Sequence, residues 1–135
     1  ACSQEGLRTD NFYSALLNNR IAYHDFEGIT VMDDEKPRLV KSLADKNILI
    51  LRNHGLLVGG RSIPESFQTM WGLQRACEVQ VATDASGKTP IPINDEVLAK
   101  TAQLLNLQAM GGPAGGLEFD ALTRVIAKID PSYKE

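Results

Sequence analysis

The sequence has little of several features that mark particular classes of protein. It has no long apolar run, so no segment predicts a membrane-spanning helix. Its 14 Lys and Arg against 17 Asp and Glu give a net charge of −3, with no basic stripe, which argues against a nucleic-acid partner. The two cysteines, Cys2 and Cys77, lie far apart and outside any metal-binding spacing. This pattern excludes a disulfide framework and predicts a reducing, cytoplasmic setting.

Histidine is also scarce, and this limits the metal sites that the chain could complete. The two histidines are His24 and His54, and the sequence contains no H-x-H, H-E-x-x-H or C-x-x-C. Because a zinc site needs three or four ligands, no complete site can be written from the sequence. The glycine-rich "GGPAGG" lacks the ending of a phosphate-binding loop, and no serine lies in G-x-S-x-G.

What is present predicts one mixed α/β domain. The 135 residues, 43% of them hydrophobic, are enough to bury a core. Apolar periodicity and turn residues predict helices over 8–19, 33–47, 61–83, 95–108 and 117–129, and strands over 21–23, 48–51 and 56–60. Three strands are few for a self-sufficient sheet, and the chain begins "ACSQEGL" without methionine, so we expect a processed chain or a fragment.

Local patterns give more detailed expectations. "ILIL" at 48–51 predicts a buried strand, and the Asn53-His54-Gly55 break predicts a tight hairpin in which glycine takes the turn conformation. Ser62 and Glu65 predict a capping box. The run "DDE" at 33–35 is interpreted as a solvated, helix-capping acidic cluster. Helical spacing predicts a buried stripe at Ile63, Phe67, Met70, Cys77 and Val81, widened by Trp71 and Leu73. It also places on one helix face each of two further sets: Val97, Leu98, Thr101, Leu104 and Leu105, and Phe119, Leu122, Ile126 and Ile129.

His54 is the leading candidate for chemistry. A histidine at the end of a buried strand, directly before glycine, could ligate a metal or transfer a proton near neutral pH. It could equally bond a neighbouring carbonyl and end the strand. A set of His24, His54 and a carboxylate such as Asp25 or Glu27 is conceivable, although His24 is better interpreted as a loop residue bonded to backbone.

The stretch "RIAYHDFEG…LADKNILILRNHGLLVGGRSIPESFQTMWGLQRACEVQ" resembles the class II aldolase/adducin family, over residues 1 to about 85. "LRNHGLLVGG", followed at once by a capped helix, is its most specific part. "LEFDALTRVIAKIDPSYKE" is similar to the C-terminal extension of bacterial adducin-like members. The resemblance implies a three-layer α/β/α fold, a sheet flanked by helices, here with the N-terminal half missing. Residues 1–110 would be the C-terminal part of the family domain, and 111–135 a helical extension after a connector at 111–116.

The resemblance also implies a function. The histidine of the family's "NHG" triplet, here His54, would be one imidazole ligand of a catalytic Zn²⁺ or other divalent metal. The family's other two ligands form an H-x-H pair that would lie upstream of Ala1, as would its acid/base residue. The implied activity is that of a metal-dependent lyase acting on a small hydroxy-carbonyl substrate, in a homotetramer. The alternative is a non-catalytic, adducin-like assembly module. With one ligand of three, the isolated chain is expected to be inactive and to bind zinc only weakly.

Overall fold

The computed structural model describes residues 1–29, 33–109 and 114–134, in which five helices and three strands are found. The helices are α1 (Phe12–Leu16), α2 (Lys36–Leu43), α3 (Ile63–Ala85), α4 (Asp95–Ala109) and α5 (Gly116–Ile129). The strands are β1 (Ile21–His24), β2 (Ile48–Leu51) and β3 (Gly55–Val58). The predicted boundary after residue 110 and the first half of the 111–116 connector lie outside the described residues. The predicted mixed α/β class is confirmed.

The strands form one sheet in the order β1-β2-β3. β1 pairs with β2 in parallel, with Ile21 opposite Ile48 and His24 opposite Leu51. β2 pairs with β3 antiparallel as the predicted hairpin. Ile48, Leu49 and Ile50 are 0–2% exposed, which confirms that the "ILIL" strand is buried on both faces.

Helices cover both faces of the sheet. Because side chains alternate along each strand, each face presents its own set of residues to the helices that pack on it. Ile48 points to the face on which Leu17 (directly after α1), and Leu73 and Ala76 from α3, complete a buried cluster. The other face carries Leu49 and His24, and Ser42 of α2 bonds the ring of His24 there. The arrangement is therefore three-layered, with α1 and α3 on one side and α2 on the other.

The first two helices are shorter than predicted. α1 begins after Asn11, not after Thr9 or Asp10, because Asn11 and Ser14 form a reciprocal capping box. Residue 8 lies outside α1, and its backbone N–H instead bonds the side chain of Gln80 in α3. α2 is preceded by a 3₁₀ turn at Asp33–Glu35 and ends where Ala44 takes a positive φ of 51°.

The helix caps predicted for α3 and α4 form, with one difference. Ser62 Oγ accepts the N–H of Glu65 at 3.3 Å, and Asn94 Oδ1 accepts the N–H of Glu96 at 2.7 Å. The Glu65 carboxylate, however, accepts the backbone N–H of Arg61 at 2.9 Å. The capping box of α3 therefore reaches back one residue further than the predicted Ser62.

The buried stripe predicted for α3 is only partly right, because Leu73 is buried as predicted while several other members of the stripe are exposed. α3 buries Thr69, Leu73, Ala76 and Gln80, whereas Ile63 and Val81 are 72% and 68% exposed. Within α4 and α5, Leu98 is buried, whereas several other apolar side chains of the two shared faces are about half exposed or more: Val97, Leu104, Leu122, Ile126 and Ile129. The described layers do not cover these faces. None of the described helices is long and apolar enough to cross a bilayer.

Candidate functional site

The polar residues singled out by the sequence meet at one edge of the sheet. β1 and β2 are parallel, so their carboxyl ends lie together, and His24 ends β1 opposite the last residue of β2. The turn Arg52-Asn53-His54 follows directly and leads into β3. This edge therefore holds both histidines of the chain, one in a strand and one in a turn.

His54 lies in the three-residue turn between β2 and β3, where it is exposed. Its backbone N–H bonds the carbonyl of Leu51 at 3.1 Å. The left-handed conformation that the turn needs belongs to Asn53, with φ of 58°, and not to Gly55 as predicted. Asparagine is among the residues that tolerate this region, because its short side chain bonds locally. The turn thus presents the imidazole of His54 to solvent.

Arg52 ties this turn to the start of the chain. Its guanidinium donates to the carbonyls of Ser3 and Gln4 at 3.3 and 3.2 Å, lies 3.4 Å from a carboxylate oxygen of Asp25, and stacks 4.8 Å from the ring centre of Tyr23. The N–H of the next residue, 53, bonds the carbonyl of residue 1 at 3.2 Å. A surface cleft of about 570 Å³ lies here, lined by Ala1, Cys2, Ser3, Gln4, Asp25, Arg52 and Asn53.

His24 is not the loop residue that the sequence predicts. It is the last residue of β1, 7% exposed, and its Nδ1 lies 2.9 Å from Ser42 Oγ of α2. Its other ring nitrogen, Nε2, is buried and has no hydrogen-bond partner. An unsatisfied buried nitrogen costs free energy, so the surroundings of Nε2 need explanation.

Two carboxylates face this nitrogen. Oε1 of Glu35 lies 3.4 Å from His24 Nε2, and Oε1 of Glu27 lies 3.6 Å from it. Glu35 is the N-cap residue of α2 but makes no side-chain capping bond, and its side chain is only 12% exposed. The interpretation of residues 33–35 as a solvated acidic cluster is therefore wrong for Glu35.

Arg38 fixes the charge of Glu27. Its Nε donates to both oxygens of that carboxylate at 3.0 and 2.8 Å, and one terminal nitrogen donates at 2.5 Å. These hydrogen bonds from Arg38 hold the pKa of Glu27 below its ordinary value. Glu27 is therefore ionised near neutral pH and offers an anionic oxygen to the space beside His24.

The structure brings together a different set of residues from the one that the sequence suggested. Among the described residues, His24, Glu27 and Glu35 form the one group of metal-ligating side chains whose atoms lie within 4.8 Å of one another. His54 is outside that group. Sequence reasoning missed Glu35 and Ser42, since spacings of 11 and 18 residues from His24 match no known motif; a strand ending at residue 24 was the signal available.

Comparison with known proteins identifies relatives of this chain. The family model described as "Class II Aldolase and Adducin N-terminal domain" matches residues 1–81. α-Adducin of Rattus norvegicus is 47% identical over 77 residues, which cover 56% of this chain and 10% of that protein.

Two solved structures share the fold. An aldolase II superfamily protein from Pseudomonas syringae superposes with a TM-score of 0.87 at 34% identity, over 99% of this chain and 53% of that one. L-fuculose 1-phosphate aldolase from Glaciozyma antarctica PI12 gives 0.71 at 26% identity, over 93% and 45% of the respective chains. The chain spans about half the length of the curated relatives that match nearly all of it.

Proposed function

Because the chain belongs to the class II aldolase and adducin family, we propose that it forms part of a metal-dependent, aldolase-type lyase that acts on a small hydroxy-carbonyl compound. The observation that carries this proposal is the placement of His54. It is held, exposed, in a turn at the carboxyl edge of the parallel strand pair. Ligands in α/β folds commonly bind at such edges.

In this proposal His54 is one imidazole ligand of a divalent metal, with Zn²⁺ the first candidate. Among the described residues around the turn, His54 would supply one ligand, whereas zinc needs at least three. The remaining ligands are proposed to be an H-x-H pair in a segment that precedes Ala1 in a longer chain. The contact of residues 1–4 with the turn supports this, because such a segment would enter beside His54.

The bound metal would supply a Lewis acid that polarises a carbonyl and stabilises an enediolate. This chain's own contribution is positional. The bonds of Arg52 to the carbonyls of Ser3 and Gln4 hold the first residues against the turn, and its ion pair with Asp25 joins the turn to the loop after β1. These contacts fix where the imidazole of His54 stands relative to the cleft.

The test uses the full-length protein with His54→Ala and, as a control, Lys88→Ala in the loop between α3 and α4. We expect the His54 variant to lose bound zinc, with metal affinity reduced at least about tenfold, and to lose aldol cleavage with it. L-fuculose 1-phosphate and related sugar phosphates are the first compounds to assay, given the solved neighbour. A His54→Ala protein with unchanged metal content would overturn the ligand assignment.

The second candidate is a non-catalytic assembly module, favoured by the 47% identity with α-adducin. Self-association, proposed here as a homotetramer, fits either candidate. Under the module, His54→Ala leaves both the oligomeric mass and the metal content unchanged. Light scattering and metal analysis on the same samples therefore separate the two proposals.

A further inference from the structure

A second position at the same edge of the sheet has the chemistry of a cation site. His24 Nε2 is buried, makes no hydrogen bond, and faces the carboxylates of Glu27 and Glu35. When Nδ1 carries the ring proton and donates it to Ser42 Oγ, the lone pair of Nε2 faces two groups of negative charge. That arrangement is repulsive unless a cation lies between them.

The distances match shared coordination better than hydrogen bonding. An N–H···O bond to a carboxylate is about 2.7–2.9 Å long, whereas Nε2 lies 3.4 and 3.6 Å from the Glu35 and Glu27 oxygens. Donor atoms about 2.0–2.2 Å from one zinc ion at tetrahedral angles lie about 3.3–3.6 Å apart. The two distances from Nε2 therefore match those between ligands of one small ion, and the ligand atoms of the three residues all lie within 4.8 Å of one another.

We propose that His24, Glu27 and Glu35 bind a divalent cation, with Zn²⁺ preferred, at a site separate from His54. One imidazole and two carboxylates make three ligands, and a water would complete a tetrahedron. Ser42 would act on the ring from the other side, because a hydrogen bond at Nδ1 fixes the tautomer and the orientation of a ligating histidine.

The positions of Glu35 and Glu27 are consistent with a role as metal ligands. Glu35 stands where a carboxylate would ordinarily cap α2, yet its side chain makes no capping bond and faces His24 instead. Glu27 is held by Arg38, which keeps it ionised but also competes with a cation for its oxygens. Glu35 is therefore expected to be the stronger carboxylate ligand. The site would link the end of β1 to the start of α2.

The experiment is titration of chelator-treated 135-residue chain with ZnCl₂ by isothermal calorimetry near pH 7.5. The variants are Glu35→Gln and Glu27→Gln, which preserve shape, and the control is His54→Ala. We expect one zinc per chain with a dissociation constant below roughly 10 μM, at least about tenfold weaker binding in both glutamine variants, and no change in the control. This revises the weak zinc binding expected from the sequence.

Three results would overturn the site: wild-type binding weaker than roughly 10 μM, glutamine variants that bind as tightly as wild type, or loss of binding in His54→Ala. ¹⁵N spectra of the His24 ring give a second measurement. Zinc should shift Nε2 and leave Nδ1 protonated. A ring protonated at both nitrogens and unaffected by zinc would identify a plain ion pair. Because His54 serves only as the control, failure here leaves the proposed lyase untouched.

Discussion

Glu27 gives the folded chain a pH-dependent contribution to stability. Its pKa is lowered by the hydrogen bonds from Arg38, so the ionised carboxylate is favoured in the folded state. Such a group adds stability that is fully present above the unfolded pKa, here about 4.5, and is lost as pH falls through the lower folded pKa. The contribution is therefore constant near neutrality and disappears in acid.

We predict that Glu27→Gln lowers the unfolding temperature at pH 7 and that the difference from wild type narrows below about pH 4.5. Thermal unfolding between pH 3 and 7, in chelator to exclude metal, measures this. Arg38→Gln should show the same narrowing, and the double variant should lose little more than either single one. A difference in unfolding temperature that stays constant down to pH 3 would show that the ion pair is not its cause.

Among individual residues, the sequence predicts the structural position of His54 better than that of His24. The break "RNHG" correctly placed His54 in a turn. His24 was assigned to a loop because the acids that follow it resemble a polar connector. Its burial depends on α2 packing over β1 and on Ser42, 18 residues away, and no local pattern encodes such a contact.

Among the elements, the strands and caps followed local rules, whereas helix faces did not. A continuous aliphatic run bounded by turn residues specifies a buried strand, and the side chains of Ser62 and Asn94 cap helices through bonds a few residues long. α3, however, packs through Thr69, Leu73, Ala76 and Gln80, a face of mixed polarity. That face packs against α1, and Gln80 bonds the backbone of the first residues, contacts that hydrophobicity alone does not reveal.

The start of α5 is held against the start of α3 by close backbone packing. Gly115 is buried and has φ of 85°, and a Cβ added there would lie 2.5 Å from the carbonyl oxygen of Pro64. Phe119 then packs edge-on against Phe67, with ring centres 5.5 Å apart. Docking of α5 therefore depends on the absence of a side chain at residue 115.

We predict that Gly115→Ala destabilises the chain by about 1–3 kcal/mol, because the added methyl is strained in both φ and space. Gly116→Ala is the matched control, since nothing lies within 4 Å of its Cβ position, and it should be neutral or slightly stabilising. Urea unfolding measures both. Equal effects of the two substitutions would show that α5 does not depend on this contact.

At the scale of the whole molecule, one buried side chain joins the first residues to the far half of α3. Gln80, 7% exposed, accepts the backbone N–H of Arg8 at 2.8 Å and donates to the carbonyl of Gly6 at 2.9 Å. The Arg8 guanidinium adds an ion pair with Asp84 at 2.6 Å. These contacts, which we call the terminal clamp, hold the segment that also touches the His54 turn.

We predict that Gln80→Ala costs about 1–3 kcal/mol, because it removes two part-buried hydrogen bonds and leaves the N–H of Arg8 and the carbonyl of Gly6 without this partner. The amide of Arg8 should lose protection from hydrogen exchange, while amides of β2 keep theirs. Gln74→Ala on the exposed face of α3 is the control, since its amide bonds only the exposed Glu78. An Arg8 amide that exchanges at the wild-type rate would contradict the terminal clamp.

The terminal clamp also has a consequence for the order of events during synthesis. Its bonds join residues 72 to 76 positions apart, so the first residues emerge long before their partners exist. At about 5–20 residues per second, the interval is about 4–15 s. Contacts of such long separation are expected to form late, so weakening them should speed unfolding more than it slows folding. The first residues of the chain, which lie beside His54, would thus be the last part of it to reach their folded position.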